Sequence, residues 1–270
     1  MRIQTLHTRL IIIALLLMAG AWLTIAQERA DPLTTILVPE VISERPHDTD
    51  AFTQGLLLYD GYFYESTGLR GESSLRKVDP ETGEVVQQID LDDIYFGEGL
   101  ARVDDRLIQL TWTSEVAFIY DLETFEQIGE YEYEGQGWGL CYDGEELYMS
   151  NGSNIITVRD PVTFEVLREI EIELNNQPID KLNELECVDK KVYANVWQTV
   201  AILEIDKKSG LVTAAINATD LHTPEIIEDL NRGSVLNGIA YDPENEVFYL
   251  TGKRWPVIYE TTLVPFEIEE

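Results

Sequence analysis

FTQGLLLYDG (52–61), FGEGLARVDD (96–105), QGWGLCYDG (136–144), KLNELECVDK (181–190) and VLNGIAYDPE (235–244) are variants of one phrase. Each runs through small and apolar residues to an aspartate. A second phrase, an aspartate followed by a turn, comes later in the first four units: KVDPETG (77–83), IYDLETF (119–125), VRDPVTF (158–164) and EIDKKSG (204–210). The openings lie 40 to 45 residues apart, stretched to 54 before the last. Between them the chain reads as short alternating segments such as GLLLYDGYFYES (55–66), RLIQLTWTSEVAFIYD (106–121) and NEVFYLTG (245–252). Alternation broken by Asp-Gly, Asp-Pro and Asn-Gly marks antiparallel strands joined by tight turns. Short strands in units of this period are the pattern of propeller blades. The repeat therefore predicts an all-β, five-bladed β-propeller over residues 35–270. Its last unit has only three strands, at 235–242, 247–251 and 257–262. ILVPEVISE (36–44) is a spare strand ahead of the first unit, and pairing the two would close the ring and remove an open sheet edge. The long interval contains HTPEIIEDLNRG (222–233), where Pro224 opens a short helix inserted over one rim.

The charge narrows the partners. The chain has 50 acidic against 19 basic residues, a formal net charge of −31. Such a surface repels phosphate backbones and anionic headgroups, which argues against nucleic acid and membrane-surface partners. With 44% hydrophobic and 10% aromatic residues it is nonetheless a folding sequence rather than an acidic tail. His7, His47 and His222 are the only histidines, so no HExxH motif or His-rich zinc site is available. LIIIALLLMAGAWLTIA (10–26) is an apolar run behind Arg2, His7 and Arg9, the pattern of an export signal at residues 1–26 or of an uncleaved membrane anchor. A linker at 27–34 would follow. The body is thus expected to be exported, periplasmic or extracellular, touching a membrane only through such an anchor. Cys141 and Cys187 fall three and four residues past equivalent repeat positions. Alternation sends those offsets to opposite sides, which favours two free buried thiols over a disulfide.

Aligning the units turns sequence into geometry. Gln54, Glu98, Trp138, Asn183 and Asn237 share one position, at the start of each innermost strand, and should converge at the mouth of the central channel. Phe52, Phe96, Gln136, Lys181 and Val235 lie two residues earlier. Trp112 and Trp197 follow Glu98 and Asn183 by 14 residues, and Lys253 follows Asn237 by 16. One carboxylate, several amides, one ammonium and large aromatics would then surround one opening, the mix typical of ligand sites. Asn237 is assigned a structural role.

These residues also carry a family resemblance. PHDTDAFTQGL (46–56), FGEGL (96–100), LTW (110–112), GWGL (137–140), LNELE (182–186), NVW (195–197) and LTGK (250–253) occur in order and in register. Over about residues 35 to 265 the chain resembles the glutaminyl-peptide cyclotransferases of plant and bacterial type. The resemblance implies a monomeric five-bladed propeller, unrelated to the zinc-dependent animal enzymes and working without metal or cofactor. It would convert the N-terminal glutamine of peptides or proteins to pyroglutamate with release of ammonia. Carried over, the acid/base carboxylate falls on Glu98, the amide-binding groups on Gln54 and Asn183, and the lysine on Lys253. The pocket aromatics fall on Phe52, Phe96, Trp112, Trp138 and Trp197. The chemistry is coherent without the name, because the nucleophilic amine already belongs to the substrate. What remains is to fold the side chain into an attack geometry and move one proton. Two alternatives fit the same residues: a propeller hydrolase or lactonase with Ca²⁺ on Glu98, Asn183 and Asn237, or a non-catalytic peptide or sugar receptor.

Overall fold

Antiparallel strands dominate residues 34–229 and 233–267, the part of the chain that the computed structural model describes. The apolar run at 10–26 and the greater part of the expected linker lie outside these residues. One sheet contains β2 (Thr53–Tyr59), β3 (Tyr62–Thr67), β4 (Ser74–Val78) and β5 (Val85–Asp90). A second contains β6 (Gly97–Val103), β7 (Arg106–Thr111), β8 (Val116–Asp121) and β9 (Gln127–Glu132). A third contains β10 (Leu140–Tyr142), β11 (Leu147–Ser150), β12 (Ile155–Arg159) and β13 (Val166–Glu171), followed by a small hairpin, β14 (Glu173–Leu174) with β15 (Gln177–Pro178). Next come β16 (Leu182–Val188), β17 (Lys191–Val196), β18 (Ala201–Asp206) and β19 (Val212–Asn217), then β20 (Leu236–Asp242), β21 (Val247–Gly252) and β22 (Val257–Pro265).

The N-terminal strand β1 (Thr35–Pro46) completes this last group. It runs antiparallel to β22 from Leu37–Pro265 to Pro46–Val257, taking the outermost place beyond β20, β21 and β22. At Thr35–Leu37 it also pairs in parallel with Ala214–Ile216 of β19, which joins two four-strand groups into one eight-stranded sheet. Both edges meet a partner, so the first and last parts of the unit are tied by backbone hydrogen bonds. The short helix expected at Pro224 spans Pro224–Asp229.

Aspartates fold the outer turns. Asp79 Oδ1 accepts from the amides of Glu81 and Thr82 and from the Thr82 hydroxyl, and Asp121 repeats this with Glu123 and Thr124. Asp160 and Asp206 do likewise in the next two units. Hydrogen bonding to the charged form holds all four carboxyls below their ordinary range. Part of the acidity thus builds turns.

Five hydrophobic clusters lie between successive strand groups. Leu75 and Tyr64 meet Leu107 and Phe118; Ile108 and Leu110 meet Leu147 and Met149; Ile156 and Val158 meet Ala194 and Leu203. Ile202 and Ile216 meet Leu250 and Trp255, and Phe63 and Leu56 close the cycle against Tyr249 and Ile258. The first strands touch in the same cyclic order, β2, β6, β10, β16, β20 and back to β2. Glycines permit this approach: a Cβ on Gly55 would come within 2.6 Å of the Leu100 amide nitrogen, and one on Gly99 within 2.5 Å of that of Leu140. Where the fourth unit has Glu184 in place of glycine, the buried carboxylate instead accepts from the Ile239 amide at 2.9 Å.

The two cysteines correct the sequence expectation. Cys141 and Cys187 form a disulfide across a Cα–Cα distance of 5.5 Å. Opposite parity within one sheet would separate them, but β10 and β16 belong to different sheets that stack face to face. The underside of one sheet meets the upper side of the next, so opposite parity is what contact requires.

Candidate active site

The site begins with a fault in the strand pairing. Thr53 pairs with Thr67, but Gly55 pairs with Ser66; Gly97 pairs with Thr111, but Leu100 pairs with Gln109. The same slip separates Leu182–Val196 from Leu185–Ala194 and Leu236–Gly252 from Ile239–Leu250. Each slip inserts one residue into the inner strand, a bulge that bends the chain and frees a side chain from the alternation. The side chains at these bulges are Gln54, Glu98, Asn183 and Asn237. Backbone geometry re-aims the repeat's key position in four of the five units, the third, with Trp138, being the exception.

Three of those four side chains line a cavity of about 240 Å³: Gln54, Glu98 and Asn183. Lys253, one residue past the end of β21, joins them. All four are nearly removed from solvent, at 3%, 5%, 3% and 4% exposure respectively. The five expected aromatics, Phe52, Phe96, Trp112, Trp138 and Trp197, supply most of the wall. Phe96 meets Phe52 edge-on at 6.2 Å and Trp112 at 5.5 Å, and Trp138 meets Trp197 edge-on at 5.6 Å. Nine of the ten residues that the repeat and the resemblance send to the channel mouth share one cavity; the tenth, Asn237, does not line it.

The polar groups are wired in a definite order. Lys253 Nζ donates to Gln54 Oε1 at 2.7 Å, and Gln54 Nε2 donates to Glu98 Oε1 at 3.2 Å. An ammonium can only donate, so it dictates which end of the Gln54 amide faces it and turns the NH₂ toward the carboxylate. Asn237 lies outside the cavity wall. Its Nδ2 donates to the Thr53 carbonyl at 2.9 Å and lies 3.4 Å from Gln54 Oε1, so it supports Gln54 from behind. Glu98 Oε2 and Asn183 Oδ1 remain buried without a hydrogen-bond partner among the described residues. Burial holds the Glu98 carboxyl well above the usual carboxylate range, with Lys253 pulling it back. Burial likewise brings Lys253 down to about 8, against the opposing attraction of Glu98.

Three contributions were not visible in the repeat. Gln136 Oε1 accepts from the indoles of both Trp112 at 2.8 Å and Trp138 at 3.0 Å, clamping two wall residues. Its only signal was its place in the column of Phe52 and Phe96. Leu69 also lines the cavity, from a left-handed backbone at φ 81°; nothing in the pattern marks it. Behind β2, Glu65 Oε1 accepts from Thr53 Oγ1 at 2.7 Å and pairs with His47 Nε2 at 3.0 Å, while His47 Nδ1 bonds the Trp255 carbonyl at 2.7 Å. This buried network pins the residue next to Gln54 to the closing strand. Among the described residues, no group of three His, Cys, Asp or Glu side chains has metal-binding geometry.

A family model described as glutamine cyclotransferase matches residues 13–263. The glutaminyl-peptide cyclotransferase of Arabidopsis thaliana is 41% identical over 228 residues, 83% of this chain and 71% of that protein. Among solved structures, the glutaminyl cyclase of Myxococcus xanthus is 36% identical with a TM-score of 0.81, covering 87% of this chain and 100% of that one.

Proposed function

This chain belongs to the glutamine cyclotransferase family, and on that premise we propose that it converts the N-terminal glutamine of peptides and proteins to pyroglutamate with release of ammonia. It is an acyltransferase in which the acceptor amine and the acyl donor are parts of one residue. We read the scaffold as a five-bladed propeller, with the eight-stranded sheet counted as two blades joined at β1 and β19. The body is read as an exported catalytic domain, in keeping with its disulfide.

One observation carries the assignment of roles. Two buried acceptors, Glu98 Oε2 and Asn183 Oδ1, have no partner among the described residues. A glutaminyl terminus brings the donors they lack, an ammonium and a carboxamide NH₂. The aromatic walls fold the side chain back so that the amine nitrogen faces the carboxamide carbon. Glu98 takes a proton from the ammonium, whose ordinary pKa is about 8; burial raises its carboxyl and makes that transfer less uphill. The free amine attacks Cδ and a tetrahedral centre forms. Glu98 then gives the proton to the departing nitrogen, the C–N bond breaks and ammonia leaves, while the re-ionised Glu98 takes the surplus proton from the ring nitrogen and passes it to ammonia. Lys253 has N–H groups beyond the one given to Gln54, and with the Asn183 amide it stabilises the oxygen that gains charge.

The direct test is incubation of the purified chain with a Gln-initiated dipeptide, following ammonia release and loss of the free amine. No turnover above the uncatalysed rate would favour a peptide receptor instead.

A further inference from the structure

Of the fifteen Lys and Arg side chains among the described residues, ten make no ion pair. Three of them stand beside the cavity wall. Lys181 Nζ lies 5.9 Å from the Trp197 ring centre, and the Arg254 guanidinium lies 5.4 Å from that of Phe52. Arg70 follows the wall residue Leu69, and its guanidinium bonds Ile94 O and Thr113 Oγ1, each at 3.1 Å. Arg70 and Lys181 are exposed and Arg254 is half-buried. None of the three has an ion-pair partner among the described residues, whereas Arg45, Arg76, Arg168, Lys191 and Lys207 all do.

Their backbones are held. Lys181 and Arg254 both adopt left-handed conformations, φ 69° and 62°, in which a side chain is disfavoured. The Lys181 amide donates to Gly152 O at 2.8 Å and its carbonyl accepts from Trp197 at 2.8 Å; the Arg254 amide donates to Ala51 O at 2.7 Å. Each cation lies over an aromatic ring that also lines the cavity.

A peptide with its terminal glutamine in the cavity must leave past these rings, because the chain continues from the glutamine carbonyl. We propose that the mouth selects peptides carrying a carboxylate immediately after the glutamine, with Lys181 and Arg254 as its principal contacts and Arg70 beside them. This rests on the cyclisation reading above. The global charge opposes it, since −31 repels an acidic peptide at long range. Repulsion between separated charges is screened beyond about 8 Å at physiological ionic strength, whereas a contact at the mouth is not.

The test compares kcat/KM of the full chain for Gln-Glu-Ala-amide, Gln-Ala-Ala-amide and Gln-Lys-Ala-amide at physiological ionic strength. The Glu peptide should exceed the Lys peptide by about fivefold, the effect of two exposed charge contacts. Replacing Lys181→Asn and Arg254→Asn together should bring that ratio to about one or below; asparagine tolerates the left-handed backbone. Comparing Gln-Ala with a free and an amidated end separates the sources: a gain confined to the free end assigns the carboxylate to a chain terminus. Equal turnover across all these pairs, or preference for lysine, overturns the proposal and leaves cyclisation standing. No turnover of any peptide removes the cyclisation reading, and this proposal with it.

Discussion

Glu98→Gln is the substitution that bears most directly on the chemistry. Glutamine has nearly the volume of glutamate, and its Oε1 can still accept from Gln54 Nε2 across the 3.2 Å that Glu98 Oε1 now spans. The bulge that presents residue 98 is set by backbone pairing between β6 and β7, which the change leaves untouched. Folding and the aromatic cavity should survive, and glutamine binding should fall only modestly. What disappears is the group that takes and returns the proton. General acid/base transfer contributes about 10²- to 10⁴-fold, so kcat should drop at least about 100-fold, or ~2.7 kcal/mol in the barrier. A second reading follows from the coupling to Lys253. That ammonium already sits at about 8 because of burial, and Glu98 is what holds it up. Without the carboxylate it should titrate lower still. In the unaltered enzyme, kcat/KM should fall on the acid side as Glu98 takes up a proton and on the alkaline side near pH 8 as Lys253 loses one. The substrate amine titrates in the same region, so Lys253→Arg is the control: the alkaline limb should move upward if it belongs to residue 253. The assay is initial-rate ammonia release against pH, with thermal unfolding run alongside. A Glu98→Gln enzyme of unaltered melting temperature and kcat within about threefold of the parent would take the proton shuttle away from Glu98.

Reducing the Cys141–Cys187 bond, or replacing both residues by alanine, opens a loop with a sequence separation of 46. Chain-entropy arguments put the loss at about 4 kcal/mol, or about 10 °C in melting temperature; a shift below about 2 °C in calorimetry would show that the crosslink adds little. His47→Ala breaks a buried pair with Glu65 and should cost about 3 kcal/mol in denaturant unfolding. The His47 pKa is held up by Glu65 against burial, so its stabilisation is whole below the ordinary histidine value of about 6.5 and fades as pH rises through the folded value. Glu65, held down by His47 against burial, stabilises above the usual carboxylate range and loses that in acid. A wild-type minus His47→Ala stability difference that grows steadily from pH 6 to pH 9 contradicts this sign. Cyclisation should persist after exhaustive chelation with EDTA; activity lost to EDTA and restored by a divalent ion would replace the metal-free mechanism. Burial raises the Glu184 carboxyl well above its ordinary range, so ionising it in the folded state is costly. Glu184→Gln should therefore be neutral or stabilising at pH 8 and lose that advantage near pH 5, measured by unfolding at both values.

The repeated phrase was enough to read the strand groups, the cavity residues and the use of ILVPEVISE as a closing strand. Period and alternation are local properties, and each recurrence maps onto the same place in a unit. That is why Gln54, Glu98, Trp138 and Asn183 could be grouped from spacing alone, and Trp112, Trp197 and Lys253 from fixed offsets. Gln136 stood in an informative column but gave no hint that its amide would hold two indoles. His47, though quoted in the PHDTDAFTQGL run, gave no sign of its pairing with Glu65, which lies in the next strand but one.

The amino-acid sequence by itself determined the β architecture, the residue types at the site and the acid-rich surface of the described body. Only the tertiary structure decided which faces meet. Cys141 and Cys187 pair because stacked sheets bring opposite parities together, a relation that no single strand contains. The bulges aim four side chains by a slip in pairing that depends on the partner strand. The order Lys253, Gln54, Glu98 joins a residue just past β21 to residues of β2 and β6, brought side by side only when the inner strands close their cycle. Hydrogen-bond direction and burial, which set the proton affinities of Glu98 and Lys253, exist only once that closure has excluded water.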